Sequence, residues 1–364
     1  MTQTGIPFLF LRGGTSRGPY FQRENLPEDR DCLADVLMAA VGAGHPLNID
    51  GIGGGAAVTT KVAMLSRSDH EWAEIDYFFA QVAVKERLVD FKPTCGNILS
   101  GVGPAAIEMG LVETSDLETK VRIHAVNTGA LIEAVVQTPG GQLSYDGETE
   151  IAGVPGSAAP IKLNFRDVVG SVTGALLPTG QARDEIDGIE VTCMDVAMPI
   201  AIARADAFGL SGYETADELD TNKDFYARME PIRREAGRRM GLGDVTKSVT
   251  PKFAIVAPPK DGGTIAARYF MPWNCHPAMA VTGAQCLASC SLAPGTVGDG
   301  LAAKPSGNPA VMEIEHPSGK IGVTIDAEYE ANNFTVRSAG LIRTARLLAR
   351  GEIMVPGNVW NGSK

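Results

Sequence analysis

A lysine in the first third of the sequence has the surroundings of a group that could move protons. Lys61 follows two threonines and precedes small and apolar residues, in a segment that alternates like a β-strand. Partial burial of a lysine favours its neutral amine, which can act as a base near neutral pH. A lysine on the solvated face of a strand is the alternative, and it is the commoner situation for this residue type.

A cysteine provides the second candidate. Cys95 and Gly96 stand immediately before a predicted helix over 97–109, and Asn97 is its first residue. The positive end of a helix dipole and its unpaired N–H groups favour the thiolate, so such a thiol could act as a nucleophile or transfer a proton. Gly96 would let a ligand carboxylate approach the backbone, and Asn97 could hydrogen-bond it. A buried, unreactive cysteine is the alternative.

Several short polar segments could bind the carboxylates of a substrate. Residues 9–18 read as a strand that runs into a glycine-rich loop, where Arg12 and the hydroxyls of Thr15 and Ser16 could hold an anion. An ordinary hairpin turn is the alternative for this loop. Further candidates stand at predicted strand ends, where each could equally belong to a turn: Asn127, Thr179, Gly180 and His276.

Composition excludes several classes of function. The 364 residues, 44% of them hydrophobic, suggest two domains, and the net charge of −11 would repel phosphate backbones and anionic lipids. We therefore expect no nucleic-acid partner and no membrane partner. The absence of a leader segment and of an 18-residue apolar run favours a cytoplasmic protein with reduced thiols. No metal-ligand spacing occurs, and the glycines at 51–55 lack the following helix of a dinucleotide site, so we expect neither a metal nor a bound dinucleotide.

The elements that must position these residues are mostly strands. Short alternating or β-branched stretches separated by turn residues predict a β-rich, largely antiparallel chain. Helices are predicted over 31–41, 97–109, 223–240, 278–289 and 341–350. The third of these is highly charged, and we expect it to be a solvated surface helix with a kink at Pro231.

Two distant segments of the sequence resemble each other. TCGNILSGVGPAAIEMGL at 94–111 and NCHPAMAVTGAQCLASCSL at 274–292 each place a cysteine and small polar residues before a helix rich in glycine and alanine. This similarity predicts a duplicated strand–helix unit, with coincidence between two Gly/Ala-rich helices as the alternative. Duplication would give two similar α+β halves that meet at a cleft, where ligand sites tend to form.

The motifs taken together resemble a known family. RGGTSRGPYF at 12–21, DGIGG at 50–54, TTKVA at 59–63, LLPTG at 176–180 and HPAMAVTGA at 276–284 are similar, in this order, to the PrpF-like isomerases of the diaminopimelate epimerase fold. The resemblance covers essentially the whole chain. It implies an α+β fold of two pseudo-symmetric domains, 1–180 and 181–364, each a curved, mostly antiparallel sheet around a central helix, with the last segment crossing back.

The resemblance also implies an activity. It implies cofactor-free proton transfer on a small di- or tricarboxylate, with Lys61 and Cys95 as the acid/base pair. The expected reaction is isomerisation or tautomerisation of 4-oxalomesaconate in bacterial gallate-type aromatic degradation. Aconitate, methylaconitate or methylitaconate are alternative substrates. A non-catalytic carboxylate-binding protein and a thiol hydrolase are alternatives of other classes.

The second domain departs from the two-cysteine pattern of the epimerases that share this fold. The position of their second cysteine corresponds here to Met279 or Ala280, and Cys275 is displaced by about one helical turn. This departure argues against a two-thiol racemase and adds Met279 to the expected substrate-binding residues. Base rates for soluble enzymes favour a homodimer.

Overall fold

A computed structural model describes residues 3–92, 94–271, 273–301, 305, 307–330 and 333–363. The chain divides into two compact units, 1–163 with 342–364, and 164–341. Residues 164–180, which the sequence analysis assigned to the first domain, belong to the second unit. The reason is visible at Asp195, whose carboxylate accepts hydrogen bonds from the backbone N–H groups of Val172 and Thr173 at 2.9 and 2.8 Å.

Strands dominate the described part of the chain. The strands of the first half are β1 (Gln3–Gly13), β2 (Ser16–Gln22), β3 (Lys61–Arg67), β4 (Ile75–Val82), β5 (Val89–Asp90), β6 (Leu117–Ala125), β7 (Ala130–Thr138) and β8 (Pro160–Phe165). Those of the second half are β9 (Asp184–Ile186), β10 (Ile189–Asp195), β11 (Pro199–Arg204), β12 (Lys252–Ala257), β13 (Ile265–Phe270), β14 (Ala310–His316), β15 (Gly319–Glu330) and β16 (Asn333–Pro356). The helices are α1 (Arg30–Val41), α2 (Gly96–Leu99), α3 (Val102–Glu108), α4 (Ala216–Thr221), α5 (Lys223–Arg239) and α6 (Val281–Leu292). No helix among the described residues is long and apolar enough to cross a membrane.

The two units repeat one strand order. In the first unit, β1–β2, β3–β4 and β6–β7 are antiparallel pairs, joined by parallel steps from β2 to β3 and from β4 to β6. In the second, β10–β11, β12–β13 and β14–β15 are antiparallel, and the steps between these pairs are again parallel. Helices connect the two strands of each parallel pair, because parallel neighbours need a crossover connection. The repeated order confirms the prediction of two similarly built α+β halves.

Helices cover both faces of the sheet strands in the first unit. Leu33 and Leu37 of α1 belong to one buried cluster with Val62 and Met64 of β3. Successive side chains of a strand point to opposite faces. The alternate residues of β3, beginning with Lys61, therefore face the other side of the sheet, and α2 and α3 both pack against this strand.

Two segments predicted to be continuous helices have a different conformation in the structure. Residues 341–350 lie within strand β16, which pairs with β15 over 333–341 and with β1 over 345–356, so long-range pairing overrides the local helical pattern. The predicted helix over 97–109 is divided into α2 and α3 by Ser100 and Gly101. Pro104 accounts for the division, since it has no N–H to donate to the carbonyl of Ser100.

Helix α5 is amphipathic rather than solvated all round. Phe225 and Met229 are buried in the core of the second unit. Arg233 is also fully buried, and its guanidinium is paired with Glu230 at 2.6 Å. The helix continues through Pro231 without interruption. The sequence analysis therefore missed the buried face of this helix, because charged residues dominate its composition.

Gly18 allows β2 to approach the start of β3. A Cβ atom at this position would lie 1.7 Å from the carbonyl oxygen of Lys61. We expect Gly18→Ala to lower the free energy of unfolding by ~3 kcal/mol, the upper part of the range for overpacking. Urea unfolding measures this change. Gly351→Ala is the control, because no atom lies within 4 Å of its added Cβ; equal midpoints for the two variants would contradict the prediction.

Candidate active site

The amine of Lys61 is held by a neutral group. Lys61 pairs in register with Gln81 of β4, and its Nζ donates a hydrogen bond to Gln81 Oε1 at 2.6 Å. The ring centroid of Phe79 lies 5.4 Å from the same Nζ. Within the described part of the first unit, no carboxylate forms an ion pair with Lys61. The hydrogen-bond partner of this amine and the ring beside it are both uncharged.

Cys95 is the N-cap residue of α2, as the sequence predicted. Its backbone is extended, with φ −139° and ψ 108°, and its carbonyl accepts a hydrogen bond from Leu99 N at 2.8 Å. Tyr77 Oη donates to the same carbonyl at 3.3 Å. The side chain of Cys95 is half-buried. The thiol is thus accessible at the positive end of a short helix.

Two buried tyrosines support this helix start. Tyr20 Oη donates to the carbonyl of Ile98 at 2.6 Å, and Tyr77 contacts Cys95 as described above. Burial raises the pKa of both Tyr20 and Tyr77 well above the ordinary value, and the negative charge of a Cys95 thiolate contributes in the same direction. Both phenols therefore remain protonated donors at neutral pH.

The turn between β1 and β2 lies against α2. Gly14 adopts a left-handed conformation, φ +52°, and a Cβ there would lie 2.2 Å from Asn97 Oδ1. Asn97 Nδ2 donates to Thr15 Oγ1 at 3.0 Å. Ser16 is buried, and its Oγ has no hydrogen-bond partner among the described residues. The structure therefore brings Thr15, Ser16 and Asn97 together, next to Cys95 and Gly96.

The guanidinium of Arg12 stabilises this turn. Its Nη1 donates to the carbonyls of Gly14 and Thr344, both at 3.0 Å. Burial and the neighbouring Arg346 lower the pKa of Arg12. This nitrogen is therefore occupied in bracing the turn.

Asn127 is likewise occupied with the backbone. Its Nδ2 donates to the carbonyls of Phe79 and Phe91 at 2.9 and 2.7 Å, and its Oδ1 accepts from Phe79 N at 2.8 Å. Both amide protons are used in these contacts. Asn127 thus fixes β4 to the segment that leads to Cys95.

In the second unit, His276 presents one ring nitrogen as a donor. Its Nδ1 accepts a hydrogen bond from Ala278 N at 3.0 Å, so the neutral ring carries its proton on Nε2. Burial is the main cause that lowers the pKa of His276, which favours this neutral form at pH 7. The geometry permits His276 to donate a hydrogen bond to an anion.

The N-cap of α6 is Ala280, in the place that Cys95 occupies at α2. Met279, immediately before it, is buried. Cys275 is also buried, and burial together with Asp220 raises the pKa of its thiol to about 11. This thiol is therefore protonated at neutral pH and does not replace the missing second cysteine.

Thr179 and Gly180 lie in a turn of the second unit. Thr179 Oγ1 donates to Asp184 Oδ2 at 2.7 Å, and Gly180 has φ +74°. The hydroxyl is engaged within the turn, which agrees with the alternative that the sequence left open for this segment.

The sequence analysis missed Gln81, the two tyrosines and Lys252. Lys252 begins β12, the third strand of the second repeat, as Lys61 begins β3 in the first. Burial lowers the pKa of Lys252. A comparison of TTKVA at 59–63 with TPKFA at 250–254 could have identified it. Gln81 and the tyrosines carry no local signal, because their contacts join residues far apart in the sequence.

Comparison with known proteins identifies the family. The sequence profile of the PrpF protein matches residues 3–356. The chain belongs to the PrpF family. The 4-oxalomesaconate tautomerase of Pseudomonas putida is 44% identical over 362 residues, which cover 100% of this chain and 99% of the relative. The (4E)-oxalomesaconate Delta-isomerase of Novosphingobium sp. is 44% identical over 349 residues, 96% of this chain and 97% of that one.

A solved structure in the same family has a similar fold. The crystal structure of a methylitaconate-delta-isomerase superposes with a TM-score of 0.88 at 31% identity, covering 99% of this chain and 97% of the other. The names of these PrpF relatives describe isomerisation or tautomerisation. The chain is an isomerase, as the sequence predicted.

The six cysteines should differ strongly in reactivity. Four of them are buried: Cys193, Cys275, Cys286 and Cys290. Burial raises the pKa of the Cys193 thiol to about 12, so few thiolates exist in this group at pH 8. We expect iodoacetamide at pH 8 to label Cys95 first and Cys32 more slowly, because burial and Asp29 raise the pKa of Cys32.

Peptide mass spectrometry over time measures the order of labelling. The four buried cysteines should react only after unfolding in urea, which serves as the positive control. Labelling of Cys275 as fast as Cys95 in the folded protein would refute the assignment of Cys95 as the accessible thiol.

Proposed function

We propose that this PrpF-family isomerase converts 4-oxalomesaconate by intramolecular proton transfer, with Lys61 and Cys95 as the acid/base pair. One observation carries the proposal: strand β4 contacts both residues. Its Gln81 accepts a hydrogen bond from the Lys61 amine through an uncharged amide, and its Tyr77 donates one to the carbonyl of Cys95 at the start of α2. The two relatives at 44% identity that have this compound in their names support the choice of substrate. The methylitaconate enzyme is more distant, at 31% identity.

The chemistry of the substrate suits these groups. A carbon–hydrogen bond beside the keto group of 4-oxalomesaconate is acidic, because the electrons can pass into the carbonyl and the conjugated alkene. Neutral Lys61 takes this proton, and the resulting ammonium stabilises the dienolate. The Cys95 thiol gives its proton to the oxygen, which yields an enol, or to the distant carbon, which yields a shifted alkene. Transfer of the proton from the Lys61 ammonium to the thiolate restores both groups.

Uncharged donors of the first unit would hold the carboxylates. The Ser16 hydroxyl has no hydrogen-bond partner in the part of the chain that the structure describes. The backbone N–H groups of Gly96 and Asn97 begin a helix, where such groups have no partner within the helix. Thr15 is fixed beside them by Asn97. Local donors of this kind would let a protein with a net charge of −11 bind a multiply charged anion.

Two further expectations from the sequence stay predictions. They are a homodimer and a cytoplasmic location. The proposed reaction requires neither of them.

Proton NMR in D2O tests the reaction. We expect deuterium to enter one carbon of 4-oxalomesaconate, together with the appearance of an enol or a shifted alkene. Lys61→Met should lower the rate by ~10³-fold and Cys95→Ser by ~10²-fold, within the range for loss of a general acid or base. Lys120→Met and Cys32→Ser are matched controls and should retain activity, since Lys120 is an exposed strand lysine and Cys32 lies on α1.

The alternative outcomes are equally informative. Turnover of methylitaconate or aconitate in place of 4-oxalomesaconate would keep the acid/base assignment and change the substrate. Binding of 4-oxalomesaconate without exchange or product, in wild type and Cys95→Ala alike, would replace the proposed enzyme activity with a binding function.

A further inference from the structure

We infer that Gln81 is a positioning residue, which fixes the Lys61 amine by a hydrogen bond and keeps it free of a paired negative charge. The inference rests on the proposed function, because it gives Gln81 its role through Lys61. Gln81 would act on the reaction only through that lysine. Its amide is the neutral acceptor within hydrogen-bond distance of Lys61 Nζ.

The orientation of the Gln81 amide is determined by its other contacts. Gln81 Nε2 lies 3.1 Å from the carbonyl oxygen of Ala57 and 3.2 Å from that of Val82. It also lies 3.2 Å from Thr60 Oγ1, whose own proton is donated to the Val82 carbonyl at 2.7 Å. All three neighbours are therefore acceptors for the amide N–H groups. A flipped amide would place Oε1 against these oxygens and Nε2 against the lysine amine.

The fixed amide oxygen suits a lysine that changes its protonation state. Both an amine and an ammonium carry N–H groups, so Lys61 can donate to Gln81 Oε1 before and after it takes a proton. An amide adds no charge to favour the ammonium. A carboxylate in the same place would stabilise the ammonium by Coulomb attraction and hold the proton on the lysine.

The second repeat supplies an internal comparison. Lys252 starts β12 as Lys61 starts β3, and the β12–β13 pair places Phe253 opposite Phe270. Met271 follows Phe270. The same register, continued by one residue, sets Met271 opposite Lys252, as Gln81 lies opposite Lys61. Of the two repeats, the first therefore combines the strand lysine, the amide partner and the N-cap cysteine.

Two substitutions separate positioning by Gln81 from a general structural role. Gln81→Glu places a carboxylate beside Lys61, and Gln81→Met removes the acceptor with little change in volume. Gln137→Glu is the matched control, because Gln137 lies on β7 of the same unit and its amide contacts Glu118. The measurements are pH profiles of kcat/KM and NMR titrations of protein with ¹⁵N-labelled lysine, in which Lys61→Arg assigns the Lys61 signal.

In Gln81→Glu we expect the titration midpoint of the Lys61 signal to rise by ~1 pH unit, the scale of a close opposite charge. The acidic limb of the kcat/KM profile should rise by the same amount. In Gln81→Met we expect kcat to fall by ~10–100-fold with KM within about threefold, because the misplaced amine affects chemistry more than binding. Gln137→Glu should leave the profile and the Lys61 midpoint unchanged.

The inference would be overturned if folded Gln81→Glu left both the Lys61 titration midpoint and the acidic limb of the kcat/KM profile unchanged. A wild-type kcat in Gln81→Met would also overturn it. If Gln81→Glu does not fold, the Gln81→Met result decides the question. Failure of the proposed function is distinguishable, because the wild type would then show no turnover of the substrate or Lys61→Met would retain activity, whatever the NMR midpoints show. An inactive Lys61→Met together with an unmoved Gln81→Glu profile would remove only the role of Gln81.

Discussion

Close backbone contact at the hairpin of β1 and β2 is the constraint on which the candidate site depends. Gly18 brings β2 against the carbonyl of Lys61, and a Cβ at Gly13 would lie 2.5 Å from the carbonyl oxygen of Asn97. The same hairpin therefore touches the strand that carries the lysine and the helix start that carries the cysteine. Side chains at these glycines would force the segments apart, so the close approach of the three segments requires glycine at both positions.

The polar contacts around the site use mostly uncharged groups. Gln81 holds the lysine, two protonated tyrosines hold the start of α2, and Asn97 joins this helix to the turn. A buried ion pair would favour one charge state of its members, whereas neutral partners tolerate both. These uncharged partners suit the proposed acid/base roles of Lys61 and Cys95.

The repeated strand order allows the first repeat to hold the proposed acid/base pair while the second repeat differs. Both repeats provide a lysine at the start of the third strand and a helix after the fourth. In the first repeat the helix begins after Cys95; in the second it begins after Ala280, and the nearby Cys275 is buried. The shared strand order keeps the equivalent positions available, and the residues at those positions decide the chemistry.

The sequence by itself determined the family and the α+β architecture of two similar halves, and it predicted Lys61 and Cys95 as an acid/base pair, because all of these depend on local motifs and on similarity between two halves of the chain. It did not determine the partners of those residues. Gln81 is 20 positions from Lys61, and Tyr20 is 78 from Ile98, so only strand register and helix packing bring their atoms together. The conformation of residues 341–350 was likewise decided by pairing with β1 and β15, since strand hydrogen bonds form between distant segments and override a local helical pattern.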